Sequence, residues 1–255
     1  MSQQGEKVFP PLSAEEAKAR VRPDNTNRPF ARFIGNADAK NILSRAIFAA
    51  LQRHNHALRE FNFAFIGGPG SGKTTLAALL AEEVGLPFVV IHPQTTTTVN
   101  DVLVAISRAL EEMSPTMELQ EAAKNHFDLP CMIVFIDEVH LLKDSVVQGV
   151  LKATEPKDRI LCTELGWTAN CRDVCWVIAT TERGLLFDAF DTRFLKVPLL
   201  PYTLAEVTAI VQMNYPEWPQ AICEKVAKYG GQNASETLNL AKVISLESEM
   251  TGNLA

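Results

Sequence analysis

A glycine-rich segment that ends in a lysine and two threonines is the part of this sequence best suited to chemistry. It fits the pattern G-x-x-x-x-G-K-[ST], in which backbone N–H groups converge on phosphate oxygens. Lys73 is expected to reach the β- and γ-phosphates of ATP, and the Thr74 hydroxyl is expected to hold Mg²⁺. The predicted nucleotide-binding residues are Gly67, Gly68, Pro69, Gly70, Ser71, Gly72, Lys73, Thr74 and Thr75. An ordinary glycine-rich turn is the alternative interpretation.

The neighbouring segments favour a phosphate-binding loop over a simple turn. Residues 61–66 are short, apolar and aromatic, which predicts a strand that enters the loop. Residues 75–84 are rich in helix-forming residues and are followed by Gly85, which predicts a helix that leaves it. Strand, loop and helix in this order form the arrangement that the motif requires.

Two adjacent carboxylates follow the most apolar segment of the chain. Residues 131–136 predict a strand covered on both faces of a parallel sheet, and Asp137 and Glu138 come directly after it. Open α/β sheets bind ligands at the carboxyl ends of their strands. Asp137 is therefore expected to contact Mg²⁺, and Glu138 is expected to orient the attacking water and accept its proton. A solvated helix start is the alternative for this pair.

Strands and helices alternate through most of the chain, which predicts a doubly wound α/β fold with a parallel sheet. Further elements are expected as a helix over 37–61, a strand over 87–91, a helix over 99–113 and a strand over 174–181. Polar residues 114–129 are interpreted as a connection. Residues 159–171 are expected to form a hairpin with Gly166-Trp167 at its tip, and Trp167 is either buried or a contact for a partner.

Beyond Pro198 the pattern becomes wholly helical, with helices expected over 204–212, 220–229 and 235–250. The predicted organisation is an N-terminal leader over 1–25, a nucleotide-binding α/β domain over 26–198 and a small helical lid domain over 199–252. A short helix is also expected inside the leader, at 13–20.

Composition narrows the class of protein. Of the 255 residues, 47% are hydrophobic and 21% are charged, which is ordinary for a globular protein. No apolar run is long enough to cross a bilayer and the N-terminus lacks a signal core, so a cytoplasmic protein without membrane contact is expected. The net charge of −6 argues against a wholly basic nucleic-acid-binding surface. The five cysteines predict free thiols, with a zinc pair at Cys171 and Cys175 as the weaker alternative.

Taken together, these segments resemble AAA+ ATPases, and among them the RuvB-type Holliday-junction branch-migration motors. The resemblance extends over about 27–245. It rests on Arg28-Pro29, residues 33–35, the phosphate loop, residues 137–142, the hairpin region, residues 179–186 and residues 191–194. It implies a P-loop AAA+ sheet followed by a helical lid, and a homo-oligomer expected to be a hexameric ring.

The resemblance also implies roles for residues outside the two motifs. Arg28, Phe33 and Ile34 would line the pocket for adenine and ribose. Thr181, or Thr180 beside it, would sense the γ-phosphate from a neighbouring strand.

Arg193 would act as an arginine finger that reaches the ATP of the next subunit. A guanidinium there stabilises charge on the transferring phosphoryl group. The alternative for Arg193 is a surface ion pair with Asp191 or Asp188.

Two departures from the RuvB-type pattern concern the lid and the DNA contacts. RuvB-type proteins have an arginine in a Gly-x-Pro-Arg sequence of the small domain, whereas the matching residues 231–235 contain neither proline nor arginine. Those motors also continue into a winged-helix domain that touches DNA, which this chain is expected to lack. Their hairpin docks a junction-binding partner, and the counterpart at 159–173 has a different tip sequence.

The sequence therefore predicts Mg²⁺-dependent ATP hydrolysis by a ring that acts in DNA recombination, repair or remodelling on duplex or branched DNA. The alternative is a protein-remodelling or adaptor ATPase of a phage or mobile element, which recruits a protein partner through the hairpin. A nucleotide-gated binding switch with slow hydrolysis is the third interpretation.

Overall fold

A computed structural model describes residues 30–52, 58, 61–113, 121–123, 126–181 and 190–251. The expected leader and Arg28 lie outside the described residues. In chain order the elements are α1 (Ala37–Gln52), β1 (Phe63–Ile66), α2 (Lys73–Val84), β2 (Phe88–Ile91), α3 (Val99–Met113), β3 (Glu121–Ala123), β4 (His126–Asp128), β5 (Met132–Ile136), a 3₁₀ turn (Val139–Leu141), α4 (Asp144–Ala153), β6 (Ile160–Cys162), β7 (Thr168–Asn170), β8 (Val174–Thr180), β9 (Leu195–Pro198), α5 (Leu204–Asn214), α6 (Gln220–Gly230) and α7 (Ala234–Thr251).

The main sheet has five strands in the order β2-β5-β8-β1-β9, and every neighbouring pair is parallel. Every residue of β1, β5 and β8 is buried, as their apolar composition requires of strands covered on both faces. The predicted doubly wound parallel sheet is therefore confirmed.

Strand β9 was missing from the sequence prediction. It pairs only with β1 and lies at the edge of the sheet. Val197 is its one buried residue, so the strand has neither the apolar run nor the alternation that identifies a strand in sequence. Its place beside β1 sets the position of Arg193, which comes just before it.

Two apolar clusters cover the two faces of the main sheet. On one face, α3 and α4 pack on β5 and β8 through residues such as Ile106 and Val150. On the other face lie α1 and α2, together with Val207 and Ile210 of α5. The helices α5, α6 and α7 also share a smaller cluster around Trp218 and Cys223. The helical C-terminal part therefore packs directly against the nucleotide-binding core.

A second, four-stranded sheet has the order β3-β4-β7-β6. The predicted hairpin is confirmed, because β6 and β7 pair antiparallel with Cys162 opposite Thr168. The interpretation of 114–129 as a connection was wrong, since β3 and β4 lie inside it and β4 pairs parallel with β7. These strands have three residues each, which is too short for a periodic pattern, and β4 pairs with a segment about 40 residues away.

The helix expected over 37–61 ends earlier, at Gln52 among the described residues. Phe61 lies outside it, in a turn where its N–H donates to the carbonyl of Leu58. The three lid helices match their predicted bounds to within two residues. Among the described residues, no helix is long and apolar enough to cross a membrane.

Candidate active site

The phosphate loop joins β1 to α2 at the carboxyl edge of the main sheet. Gly70 and Gly72 have φ values of 68° and 88°, a left-handed backbone that side chains with a Cβ rarely adopt. Lys73 is buried, and its Nζ donates to the carbonyl oxygens of Gly67 at 2.9 Å and Gly68 at 3.1 Å. The ammonium therefore lies over the loop, where it can exchange these carbonyls for phosphate oxygens.

Other predicted loop residues surround the lysine. Gly68, Pro69, Thr74 and Thr75 are exposed at the mouth of the loop, whereas Ser71 is buried. Among the described residues, the Ser71 hydroxyl has no hydrogen-bond partner. A buried hydroxyl without a partner is costly, so an added acceptor such as a phosphate oxygen fits this loop.

The predicted metal ligands lie on facing elements. The Thr74 hydroxyl, in the first turn of α2, is 3.3 Å from Oδ2 of Asp137, which follows β5. Both candidate ligand atoms are oxygens, which Mg²⁺ prefers. Proteins that bind Mg²⁺ together with a phosphate usually supply one or two ligands of their own. These residues fit Mg²⁺ bound together with a nucleotide.

Glu138 adopts an unusual backbone conformation next to the metal ligands. Its φ of 47° and ψ of 56° are left-handed, and its N–H donates to Oδ1 of Asp137 at 3.1 Å. This conformation turns the chain from β5 into the 3₁₀ turn. Oε1 of the Glu138 carboxylate consequently comes within 3.7 Å of the Lys73 ammonium.

Thr180, the last residue of β8, and Thr181, which follows it, contact the loop and this carboxylate. Oε2 of Glu138 accepts hydrogen bonds from the backbone N–H and the hydroxyl of Thr181, both at 3.1 Å. Thr180 is buried, and its carbonyl accepts the N–H of Gly67 at 3.3 Å. The strand order explains the meeting, since β8 lies between β1 and β5 and all three end at the same edge.

The predicted adenine pocket is only partly within the described residues. Phe33 is 4% exposed, so its ring packs under the loop, and Ile34 is half-buried in the same cluster. A Cβ added to Gly72 would lie 2.9 Å from the Phe33 ring and 2.6 Å from the Tyr202 hydroxyl. The helix start at Gly72 is therefore enclosed by two aromatic rings from distant parts of the chain.

Tyr202 is a site residue that the sequence prediction missed. Burial raises the pKa of its hydroxyl to about 12, and the Glu206 carboxylate adds to this shift. The hydroxyl therefore stays protonated and can donate a hydrogen bond. The available signal was a single tyrosine between the last strand and the first lid helix, which no pattern distinguishes from an ordinary linker residue.

The lid touches the phosphate loop without an arginine. The N–H of Ala234, at the start of α7, donates to the carbonyl of Gly70 at 3.3 Å. The Asn233 side chain lies so close that a Cβ on Gly70 would be 1.7 Å from its Oδ1. Asn233 also accepts the N–H of Glu236, as a helix cap does.

Arg193 lies at the amino edge of the main sheet, where its strands begin, whereas the loop lies at the carboxyl edge, where they end. Arg193 precedes β9, whose first residue Leu195 pairs with the first residue of β1. Gly67 of the loop follows the last residue of β1. Strand β1 separates these levels by roughly 10 Å at about 3.3 Å per residue. The guanidinium donates to the Leu151 carbonyl at 2.5 Å and pairs with Glu155 at 3.5 Å. Of the two alternative partners named for Arg193, Asp191 pairs with Lys196 instead, and Asp188 lies outside the described residues.

All five cysteines are described and all are free thiols. Burial raises the pKa of Cys171 to about 12 and that of Cys175 further, so both are protonated thiols in this structure. In the part of the chain that the structure describes, no group of three or more His, Cys, Asp and Glu residues could hold a metal ion.

A parallel α/β sheet with this loop and a following Asp-Glu pair defines a P-loop nucleoside triphosphatase. The family model for the ATPase family associated with various cellular activities (AAA) matches residues 63–202. The chain belongs to this AAA family of ATPases.

Solved structures of Thermotoga maritima RuvB are similar to this chain in fold. The one described as a Holliday junction branch migration motor is 23% identical, with a TM-score of 0.64, and the match covers 92% of this chain and 70% of that chain. Two variants of the same protein have TM-scores of 0.66 at 23% identity and 0.67 at 22% identity. Their matches cover 89% and 91% of this chain and 69% and 68% of theirs. The RuvB-like AAA+ fold expected from the sequence is confirmed.

Proposed function

We propose that this chain hydrolyses ATP with Mg²⁺ at the carboxyl edge of its main sheet, in a site that a second copy completes. The observation that best supports this is the Glu138 carboxylate, which Thr181 holds beside the loop while Asp137 lies at the Thr74 hydroxyl. The acceptor for a proton, the metal ligands and the phosphate-binding lysine thus converge on one opening.

Binding begins with the loop. Its N–H groups and the start of α2 attract the phosphates, and Lys73 leaves the Gly67 and Gly68 carbonyls for the β- and γ-phosphates. Thr74 and Asp137 would hold Mg²⁺, which neutralises charge on the β- and γ-phosphate oxygens when bound. Phe33, Ile34, Arg28 and Tyr202 are proposed to bound the side where the base lies.

Hydrolysis then needs a positioned water. Glu138 accepts a proton from the water while the water oxygen forms a bond to the γ-phosphorus. At the same time, the bond between the γ-phosphorus and the oxygen that bridges to the β-phosphate breaks. ADP and phosphate are the products. Thr181, with Thr180 beside it, is proposed to link the state of the γ-phosphate to the Glu138 carboxylate.

Arg193 is proposed to complete this site on a neighbouring copy, because it lies at the far edge of its own sheet. An open cavity of about 270 Å³ is lined in part by Arg193, Asn62 and Leu195, so the surface around Arg193 is concave and open. A head-to-tail contact forms a ring where the rotation between copies closes, and a filament where it does not. A homo-oligomeric ring, expected to be a hexamer, follows from the same proposal.

ATPase assays with and without Mg²⁺ test the chemistry. We expect turnover that requires Mg²⁺ and is lost in the Glu138→Gln variant. Normal turnover by Glu138→Gln would refute this mechanism.

We further propose that the ATPase acts on DNA, as the branch-migration name of the similar structures suggests. The test compares ATPase rates with no DNA and with duplex, single-stranded and four-way DNA. Salt must be low and stated, because phosphate contacts weaken steeply as it rises. Stimulation, greatest with four-way DNA, is expected. Equal rates in all four conditions, with no DNA retained, would reject this proposal.

A protein-remodelling or adaptor role is the second candidate, and the hairpin tip favours it. Leu165 is 68% exposed, and Trp167 is 38% exposed although it stacks on Phe127 at 5.2 Å. Exposed apolar side chains on a rigid hairpin suit a protein partner. Failure of the DNA test together with an ATPase rate stimulated by a co-purifying protein would favour this role.

A further inference from the structure

A histidine close to Glu138 has no role in the mechanism above. His140 lies in the 3₁₀ turn Val139–Leu141, which is closed by the N–H of Leu141 donating to the Glu138 carbonyl at 3.0 Å. This turn directs the imidazole back toward the carboxylate two residues before it. Nδ1 of His140 is 3.2 Å from Oε2 of Glu138 and 3.3 Å from the Thr180 hydroxyl oxygen.

The partner of Nδ1 determines where its proton lies. An ionised carboxylate only accepts hydrogen bonds, so a favourable contact requires that Nδ1 carry the hydrogen. Oε2 therefore receives three donors: the N–H and the hydroxyl of Thr181, and Nδ1–H of His140.

The two oxygens of the Glu138 carboxylate consequently differ. Oε2 is fixed by three donors from two elements, whereas Oε1 faces Lys73 at the longer distance of 3.7 Å. Once Lys73 binds phosphates, Oε1 is the oxygen left to accept the proton of water. A carboxylate anchored through one oxygen holds the other in place, which is what a general base requires.

We propose that His140 is a positioning residue for ATP hydrolysis, which anchors Oε2 of Glu138 and so aims Oε1 at the attacking water. This inference rests on the proposed role of Glu138. His140 contacts the carboxylate and the Thr180 hydroxyl rather than the loop, so it acts on the chemical step and not on the binding of ATP.

Variants of similar shape separate hydrogen bonding from packing. In His140→Asn, the amide nitrogen can take the place of Nδ1 and donate to Oε2. In His140→Asp, a carboxylate of the same shape accepts instead and repels Glu138. We expect His140→Asn to keep kcat within about threefold and His140→Asp and His140→Leu to lose roughly tenfold or more, as for a hydrogen bond to a charged group. KM for ATP should not change.

A double-variant cycle tests whether His140 acts through Glu138. If it does, His140→Leu causes no further loss in the Glu138→Gln background. The inference is overturned if His140→Asn is as impaired as His140→Leu, if KM rises while kcat is kept, or if the losses in the double variant multiply. Normal turnover by Glu138→Gln would instead refute the proposed function. If Glu138→Gln loses turnover while His140→Leu stays fully active, only the inference about His140 is refuted.

Discussion

The carboxyl and amino edges of the main sheet differ in how many of the groups proposed for ATP hydrolysis they carry. At the carboxyl edge, Lys73, Thr74, Asp137, Glu138 and Thr181 are linked by contacts of 3.1 to 3.7 Å within one chain. At the amino edge, Arg193 is held by the Leu151 carbonyl and the Glu155 carboxylate. The carboxyl edge therefore holds the groups proposed to bind and hydrolyse a nucleotide, and the amino edge holds Arg193, which is proposed to act on a neighbouring copy.

The proposed shared site assigns different tasks to these two edges. A cation that stabilises a phosphoryl group must touch it, and β1 lies between Arg193 and the loop of its own chain. Contact with Leu151 and Glu155 holds the guanidinium in a fixed position, from which it is proposed to reach the neighbouring copy. A substitution at the carboxyl edge should therefore reduce ATP hydrolysis in the same copy. A substitution of Arg193 at the amino edge should reduce hydrolysis only in the neighbouring copy.

The largest effect is expected from Arg193→Ala. Loss of an arginine finger lowers kcat by roughly 10³-fold or more, because charge on the phosphoryl group is left without its cation. The affinity for ATP should be kept, since Arg193 does not contact the ATP of its own chain. Steady-state ATPase assays and ATP titration measure the two quantities.

Arg172→Ala is the matched control for this variant, because Arg172 is exposed and its backbone carbonyl and N–H hydrogen-bond to Arg159 and Asn170. It should remain fully active. Equal loss in Arg172→Ala, or loss of ATP affinity in Arg193→Ala, would contradict the division between the edges.

The Glu138→Gln variant probes the carboxyl edge. The amide keeps the shape but cannot accept a proton, so kcat should fall by about 10²–10⁴-fold while ATP still binds. Glu164→Gln makes the same chemical change at the hairpin tip and should not alter kcat. The mechanism is wrong if both variants turn over ATP at the rate of the unmodified protein.

A smaller effect is expected where the lid meets the loop. In Gly70→Ala, the new methyl group would meet Asn233 in a left-handed backbone, so KM for ATP should rise roughly tenfold, as expected from 1–2 kcal/mol of strain. Gly166→Ala has a similar φ of 78° but open space around its Cβ, which makes it the matched control.

The second variant Asn233→Ala, combined with Gly70→Ala, should restore part of the affinity by removing the clash. If Gly166→Ala raises KM as much as Gly70→Ala does, the effect is one of stability and the lid contact has no role in binding.

The smallest effect concerns the second sheet. Glu164 accepts the N–H groups of Val99 and Asn100, at the start of α3. Partial burial opposes the shift, but backbone hydrogen bonds from Glu164 itself, Val99 and Asn100 outweigh it and lower the pKa of Glu164. Glu164→Gln should therefore lower Tm by about 1–3 °C at pH 7, as for an exposed helix cap.

The pH dependence of that difference follows from the direction of the shift. A lowered folded-state pKa stabilises the fold above the ordinary value of 4.5, and this contribution is lost as pH falls through the lowered pKa. The Tm difference between the two proteins should shrink in acid. A difference that grows below pH 4 would show that Glu164 does not act as this cap.

Local patterns in the sequence predicted the parts of the fold that bury long apolar segments. The strands β1, β5 and β8 and the loop at Gly67–Thr74 were predicted because their neighbours along the chain identify them. Strands β4 and β9 were missed, since their partners β7 and β1 are distant in sequence and one residue of each strand is buried. Strand β3 was missed because three residues are too few for a periodic pattern.

The candidate site shows the same limit. The contact between Thr74 and Asp137 follows from two motifs, whereas those of Tyr202 with Gly72 and Asn233 with Gly70 depend on how the lid packs. Likewise, Glu164 of the hairpin accepts the first N–H groups of α3 from a position about 65 residues further along the chain. Contacts between elements far apart in sequence leave no local pattern.

The most direct test of a site shared between two copies is to mix two inactive variants. Lys73→Ala lacks a working loop but has Arg193, and Arg193→Ala has the loop but lacks the finger. In a ring built by head-to-tail contacts, an equal mixture should place both parts together at about one quarter of the sites. Turnover near a quarter of the unmodified rate, from proteins that show none alone and still assemble, is the predicted result. No recovery in mixed assemblies of confirmed composition would contradict the shared site.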